Sequence, residues 1–143
     1  FQSDYVLILS GDQLYQIDFN DMLQAHKDCG ADITLATIPV SAKEAPEFGI
    51  LKTEGCYIQS FIEKPKTGLE NWESDTGEEM KAAGRKYLAS MGIYIFNRQL
   101  LFDLLQEEAK EAADFGKEII PQSIGKYKVG SFQYEGYWED IGN

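Results

Sequence analysis

The stretch YVLILSGD, residues 5–12, decides how the rest of the chain is read. Tyr5 to Leu9 is an unbroken apolar run, the pattern of a strand covered on both faces. It stops at Ser10-Gly11-Asp12. In open α/β sheets, ligands bind beyond the carboxyl ends of the strands. On that reading the strand is scaffold and Asp12 is the group it delivers. Gly11 lets the backbone turn tightly or a ligand approach closely. The local alternative is a turn, because Gly-Asp pairs often close one, and the segment alone does not choose between the two.

Outward from this strand, Phe19, Met22, Leu23, His26 and Cys29 recur at helical spacing. Asp18 or Asn20 can cap that helix at its start, and Gly30 can close it. Ile33–Val40 is a second apolar, β-branched run. Phe48–Lys52 and Tyr57–Glu63 flank Thr53-Glu54-Gly55, which reads as a hairpin with Gly55 in its turn. Pro65 to Arg85 is polar, glycine-punctuated and aperiodic, so a mobile loop is expected, with a helical turn around Glu78–Ala83. Leu88–Phe96 is a strand. Asn97 can cap a helix striped by Leu100, Leu101, Leu104 and Leu105, and Asp114 can cap a short one carrying Ile119, Ile120 and Ile124. Lys128–Tyr134 is a further strand before the closing YWEDIGN. Strands alternating with helices, interrupted by a hairpin, predict an α/β domain with a mixed sheet.

The 143 residues suffice for one domain, and 43% apolar with 26% charged residues is a globular composition. The net charge of −11 argues against a broad nucleic-acid surface, which needs a positive field. It leaves room for a small anionic substrate, since one lysine or a metal ion reverses the field inside a cleft. No apolar stretch approaches a membrane span, and no signal peptide is visible. The first residue is Phe rather than Met, so a piece of a longer chain is expected. Cys29 and Cys56 lack metal-ligand spacing and read as reduced thiols, with one disulfide as the alternative. His26 lies within the helical pattern and reads as a surface or packing residue.

Three segments carry candidate chemistry. Asp140 in YWEDIG is, like Asp12, an aspartate beside a possible turn. If the two converge, their hard oxygens suit Mg²⁺, which keeps waters for substrate phosphates. FIEKP ends a strand on Glu63-Lys64 and stops it at Pro65. Lysine suits a phosphate as a point charge, and a carboxylate accepts from sugar hydroxyls. The plainer reading is an exposed neighbour pair worth little. ASMGIYIF puts the Ser90 hydroxyl at a strand entry, facing a ligand or simply solvent, with Met91 as packing.

In this order, LSGDQLYQIDF, PEFGIL, FIEKPK, LASMGIYIF, DFGKEIIP and YWEDIGN resemble the nucleotidyltransferase domain of the ADP-glucose pyrophosphorylases (glucose-1-phosphate adenylyltransferases). The match spans nearly the whole chain. GD and EKP are shared by sugar-nucleotide transferases using other bases; SMGIYIF, DFGKEIIP and YWEDIG point to the ADP-glucose enzymes. The resemblance implies a partial, Rossmann-like (glycosyltransferase-A-like) domain over residues 1–143, with a mixed, mostly parallel central sheet flanked by helices. It implies transfer of AMP from ATP to glucose 1-phosphate with Mg²⁺, giving ADP-glucose and pyrophosphate for glycogen or starch. It also implies a cytoplasmic homo-oligomer, tetrameric in the family.

By position, Asp12 matches the family's catalytic, metal-binding aspartate, and Asp140 the second metal aspartate. Gly49 matches a glycine whose backbone meets the sugar, and Glu63 a ligand of the glucose hydroxyls. Lys64 matches a catalytic ligand of the sugar phosphate, and Ser90 a further sugar contact. Lys117 of DFGKE lies near the family's site. The family's glycine-rich loop with its Arg and Lys is not in this sequence, nor are the adenine-selecting residues or the β-helix domain. Asn143 stands where the family usually has Thr. The chain alone is therefore expected to be inactive. The alternatives are a UDP-, dTDP- or GDP-sugar enzyme, a non-catalytic regulatory subunit, and an interaction domain.

Overall fold

Asp18 starts helix α1 (Phe19–Cys29) by accepting from the N–H groups of Asn20 and Asp21 at 2.9 and 3.4 Å. Gly30 ends it in the left-handed region, at φ 67°, where a glycine carries no Cβ penalty. Both caps are where the residue types place them. The structure, a computed structural model, describes residues 4–9, 18–107 and 120–134.

Six strands form one sheet: β1 (Tyr5–Leu9), β2 (Ile33–Val40), β3 (Gly49–Glu54), β4 (Tyr57–Glu63), β5 (Tyr87–Asn97) and β6 (Val129–Gln133), in the order β1-β5-β2-β6-β4-β3. A further pairing joins β3 to β5. The other helices are α2 (Glu78–Ala82), α3 (Arg98–Glu107) and α4 (Ile120–Ser123).

The expected mostly parallel sheet is corrected. Among the described strands only β2 and β6 pair in parallel; β5 runs against β1, β2 and β3, and β4 against β3 and β6. A continuous apolar run carries no information about the direction of the neighbouring strand, and in β1 it does not report cover on both faces either, since Leu7 is 42% exposed. The sheet is mixed, as the alternation of elements indicated.

The β3–β4 hairpin closes the sheet on itself. Ile50 pairs with Ala89 on β5, and at the hairpin's other end Tyr57 pairs with Gly130 on β6. Strands β5, β2, β6, β4 and β3 thus form a ring. Ile33, Leu35, Leu51, Ile58, Phe96 and Val129 pack as one core cluster, and Ala36, Ile38, Ile50, Met91 and Ile93 pack with Met22 of α1 as the other. β2 is buried at all eight positions because it lies between these two clusters.

Three further features refine the sequence reading. Cys29, at the end of α1, and Cys56, in the hairpin turn, form a disulfide, which replaces the reduced-thiol reading. Only the fold brings the helix end to the hairpin tip. His26 is a packing residue, 1% exposed, with Nδ1 2.5 Å from Thr34 Oγ1 and Nε2 2.7 Å from Asn97 Oδ1. The segment Pro65–Arg85 is fastened to the sheet: Ser74 donates to the Leu51 carbonyl and accepts from the Thr53 N–H, both at 3.2 Å. Thr76, 2% exposed, donates to the Arg85 carbonyl at 2.6 Å.

Candidate functional site

The β2–β5 ladder slips in its middle. Leu35 faces Tyr94, yet Thr37 faces Ser90, so β5 spends two extra residues on the same span. Gly92 sits in this bulge at φ 74°, a conformation that suits glycine. Its N–H donates to the Ser90 hydroxyl at 3.2 Å. The bulge breaks the ladder and fixes Ser90 in one orientation.

Gly49 and Glu63 face each other across the β3–β4 hairpin. The pairing of Ile50 with Ala89 carries Gly49 alongside Ser90. Partners in a ladder project to the same face. Glu63, Gly49 and Ser90 therefore occupy one row across three strands, with Thr37 continuing it on β2. Two strand spacings, about 10 Å, separate the backbones of Glu63 and Ser90. Three residues singled out separately in the sequence are brought together.

Gly49 is required by packing as well. A Cβ there would lie 2.7 Å from Phe61 Cζ and 3.2 Å from Glu63 Oε1. The bare backbone lets the aromatic ring and the carboxylate close over it.

Lys64 ends β4 with φ 45°, the one positive φ at a non-glycine among the described residues. Such a conformation costs roughly 1–2 kcal/mol for a residue with a Cβ. The Lys64 N–H donates to the Phe48 carbonyl at 3.0 Å, and buried Pro65 follows. These contacts hold the turn, so that Lys64 leaves the strand beside Glu63 with both side chains exposed.

Asp12, Lys117 and Asp140 lie outside the described residues. The strands that precede the two aspartates both stop close to this row. β1 ends at Leu9, opposite Ile93 and next to the bulge; β6 ends at Gln133, opposite Thr37. Thr37 is fully buried, its hydroxyl 3.0 Å from that of Ser131, and its carbonyl accepts from the Tyr134 N–H at 2.7 Å. Among the described residues no three His, Cys, Asp or Glu groups gather to hold a metal.

A cavity of about 670 Å³ adjoins the hairpin base, lined by Ser41, Lys43, Glu44, Glu47, Phe48, Ala83 and Arg85. One of similar size, about 700 Å³, lies at the opposite end of the β1–β5 pair, against Tyr5, Asn97 and Phe102, and neither cavity is lined by a predicted site residue. Size therefore does not identify the site. The row of Glu63, Gly49 and Ser90, with Lys64 beside it, is the candidate site because it combines complementary groups. A carboxylate accepts from hydroxyls, a hydroxyl donates, bare backbone allows close approach, and an ammonium stands beside them for a phosphate.

The sequence reading missed Gly92 and Thr37. A glycine inside an apolar strand is a bulge signal, so Gly92 was there to be found. Thr37 carried no such signal; its place opposite Ser90 follows from the register alone. Among the described residues no helix is long and apolar enough to cross a membrane. The family model for nucleotidyl transferases matches residues 1–143. With that match over the whole chain, the protein belongs to the nucleotidyl transferase family.

Proposed function

We propose that this chain is the sugar-phosphate half of a glucose-1-phosphate adenylyltransferase domain, a cytoplasmic enzyme forming ADP-glucose and pyrophosphate from ATP and glucose 1-phosphate. The observation that carries the reading is the single row of Glu63, Gly49 and Ser90, with the strained Lys64 at its end. Strain retained at a lysine marks a position that function constrains.

In this reading Glu63 accepts from hexose hydroxyls. Ser90 takes the Gly92 N–H on its oxygen and keeps its own proton to donate to the sugar. Gly49 lets the ring approach the backbone, and Lys64 neutralises the sugar phosphate. One phosphate oxygen of the sugar then attacks the α-phosphorus of ATP. A new P–O bond forms, the bond from that phosphorus to the bridging oxygen breaks, and pyrophosphate leaves. Such a transfer needs positioning and charge neutralisation more than covalent help.

Asp12 and Asp140 are the residues to hold Mg²⁺. Their donors are hard oxygens, and β1 and β6, which precede them, end beside Ile93 and Thr37 of the same region. The ion supplies neutralisation of the phosphate charge.

Titration calorimetry of this chain with glucose 1-phosphate and with glucose tests the reading. The phosphate ester is expected to bind and free glucose to bind far more weakly. Lys64→Gln should weaken the ester about ten- to hundredfold, the worth of one charge-assisted hydrogen bond. Equal binding of both sugars would remove Lys64 from its role. Pyrophosphate release by the full-length parent from glucose 1-phosphate with ATP, UTP, dTTP or GTP reports the base; a preference for one of the last three would replace the adenylyl assignment.

A further inference from the structure

The seam between β4 and β6 is a single ladder pair, Tyr57 with Gly130. Two further hydrogen bonds and a disulfide fasten the hairpin tip within two residues of it. The Tyr57 hydroxyl donates to the Cys29 carbonyl at 2.6 Å, and the Ser131 N–H donates to the Cys56 carbonyl at 2.9 Å. The Cys29–Cys56 bond ties the tip to the end of α1. Packing there is close: a Cβ on Gly130 would lie 3.2 Å from Ala31 Cβ and 3.3 Å from Cys29 Sγ. Cys56 is exposed in its turn, so a reductant can reach the bond.

The other end of the same hairpin carries Gly49 and Glu63 in register, and Lys64 immediately beyond. Two strands of six and seven residues therefore connect a reducible bond to the candidate site. The hairpin is held at its base by β5, through Ile50 and Leu51, and at its tip by the seam. Without the disulfide the tip keeps one ladder pair, two hydrogen bonds, the Ser74 contact to Thr53 and the burial of Ile58 in the core.

We propose that the Cys29–Cys56 bond is a redox latch on the β3–β4 hairpin, opened by a dithiol reductant, which sets how firmly the hairpin base grips its ligand. In the opening step a thiolate of the dithiol attacks one sulfur and the S–S bond breaks. The second thiol then resolves the mixed disulfide. Two electrons and two protons pass to the protein, leaving two free thiols, and the reductant becomes a disulfide. A disulfide held in a reducing compartment is usually a transient, switching one, which fits the cytoplasmic setting proposed above. The ligand half of this inference rests on the sugar-phosphate reading; the mechanical half does not.

Amide hydrogen exchange by mass spectrometry, on the oxidised chain, the chain reduced with dithiothreitol and Cys56→Ser, separates the two halves. Exchange across Gly49–Glu63 is expected to accelerate at least tenfold on reduction, with β2 and β5 unchanged, and Cys56→Ser should match the reduced chain in both conditions. Glucose 1-phosphate should bind several-fold more weakly to the reduced chain in calorimetry. Unchanged hairpin exchange, or thiols that are already free in air-oxidised protein, would overturn the latch. Uniform acceleration over the whole chain would overturn it too, by making the bond a general staple. A responsive hairpin with no glucose 1-phosphate binding in either state would leave the latch standing and reject the sugar-phosphate reading. Equal affinity in both states with a responsive hairpin would overturn the coupling of latch to ligand.

Discussion

The backbone N–H of Gly92 donates to the hydroxyl of Ser90, two residues earlier on the same strand, at 3.2 Å. One glycine thus makes the bulge and orients the candidate ligand. Gly92→Ala adds a Cβ at φ 74° and should destabilise the fold by about 1–2 kcal/mol. Ser90→Ala should leave the melting temperature almost unchanged while weakening glucose 1-phosphate. Calorimetric melting and ligand titration of both variants separate these effects; a Ser90→Ala chain that binds normally would exclude the hydroxyl from the site.

Lys64 predicts an opposition between stability and binding. Lys64→Gly relieves the strain of φ 45° and should be about 1 kcal/mol more stable than Lys64→Ala in urea unfolding. Both should lose the sugar phosphate equally, because both lack the ammonium. If Lys64→Gly were no more stable than Lys64→Ala, the residue would not be strained in solution.

Gly49 has a packing test. Gly49→Ala places a methyl 2.7 Å from the Phe61 ring, and overpacking of this kind typically costs about 1–3 kcal/mol. Phe61→Leu in the same chain should restore part of the loss by making room. Additive losses in the double variant would show that the two residues do not meet.

Tyr87 gives the stability a dependence on alkaline pH. It is 6% exposed, and burial, followed by the nearby charges of Glu73 and Glu70, raises its pKa above the ordinary value near 10. The folded state then holds the proton more tightly than the unfolded state. Its contribution is complete below pH 10 and declines as pH climbs towards the raised folded value. Thermal melts from pH 8 to 11 should show a loss above pH 10 that Tyr87→Phe diminishes. An identical loss in Tyr87→Phe would assign it to other groups.

Much of this architecture is legible in the amino-acid sequence. Asp18, Gly30 and Gly55 act through local backbone rules, so the helix caps and the hairpin fell where their residue types put them. Ile33–Val40 matched its strand because a buried run needs no partner to be recognised. Strand direction was not legible, since the apolar pattern of Tyr5–Leu9 is the same beside a parallel or an antiparallel neighbour. Nor was the Cys29–Cys56 pairing, which depends on a hairpin arching across the sheet to meet a helix end. At the site, the residue types of Glu63, Lys64 and Ser90 suggested their chemistry, while their common row came from two separate registers.

The ring of strands also bears on how the chain reaches its native state. Its hairpin is local, and such units form within about 1–10 μs. Its closure is not: Ile50 must find Ala89, and Tyr57 must find Gly130, far along the sequence. Loop-closure entropy has to be overcome before those contacts give anything back, so topologies of this kind fold slowly. Until the seam shuts, the apolar residues of Ile33, Leu35 and Phe96 lack their cover from Leu51 and Ile58. The interval before closure is thus the period in which a nascent copy of this chain is most open to sticking to another.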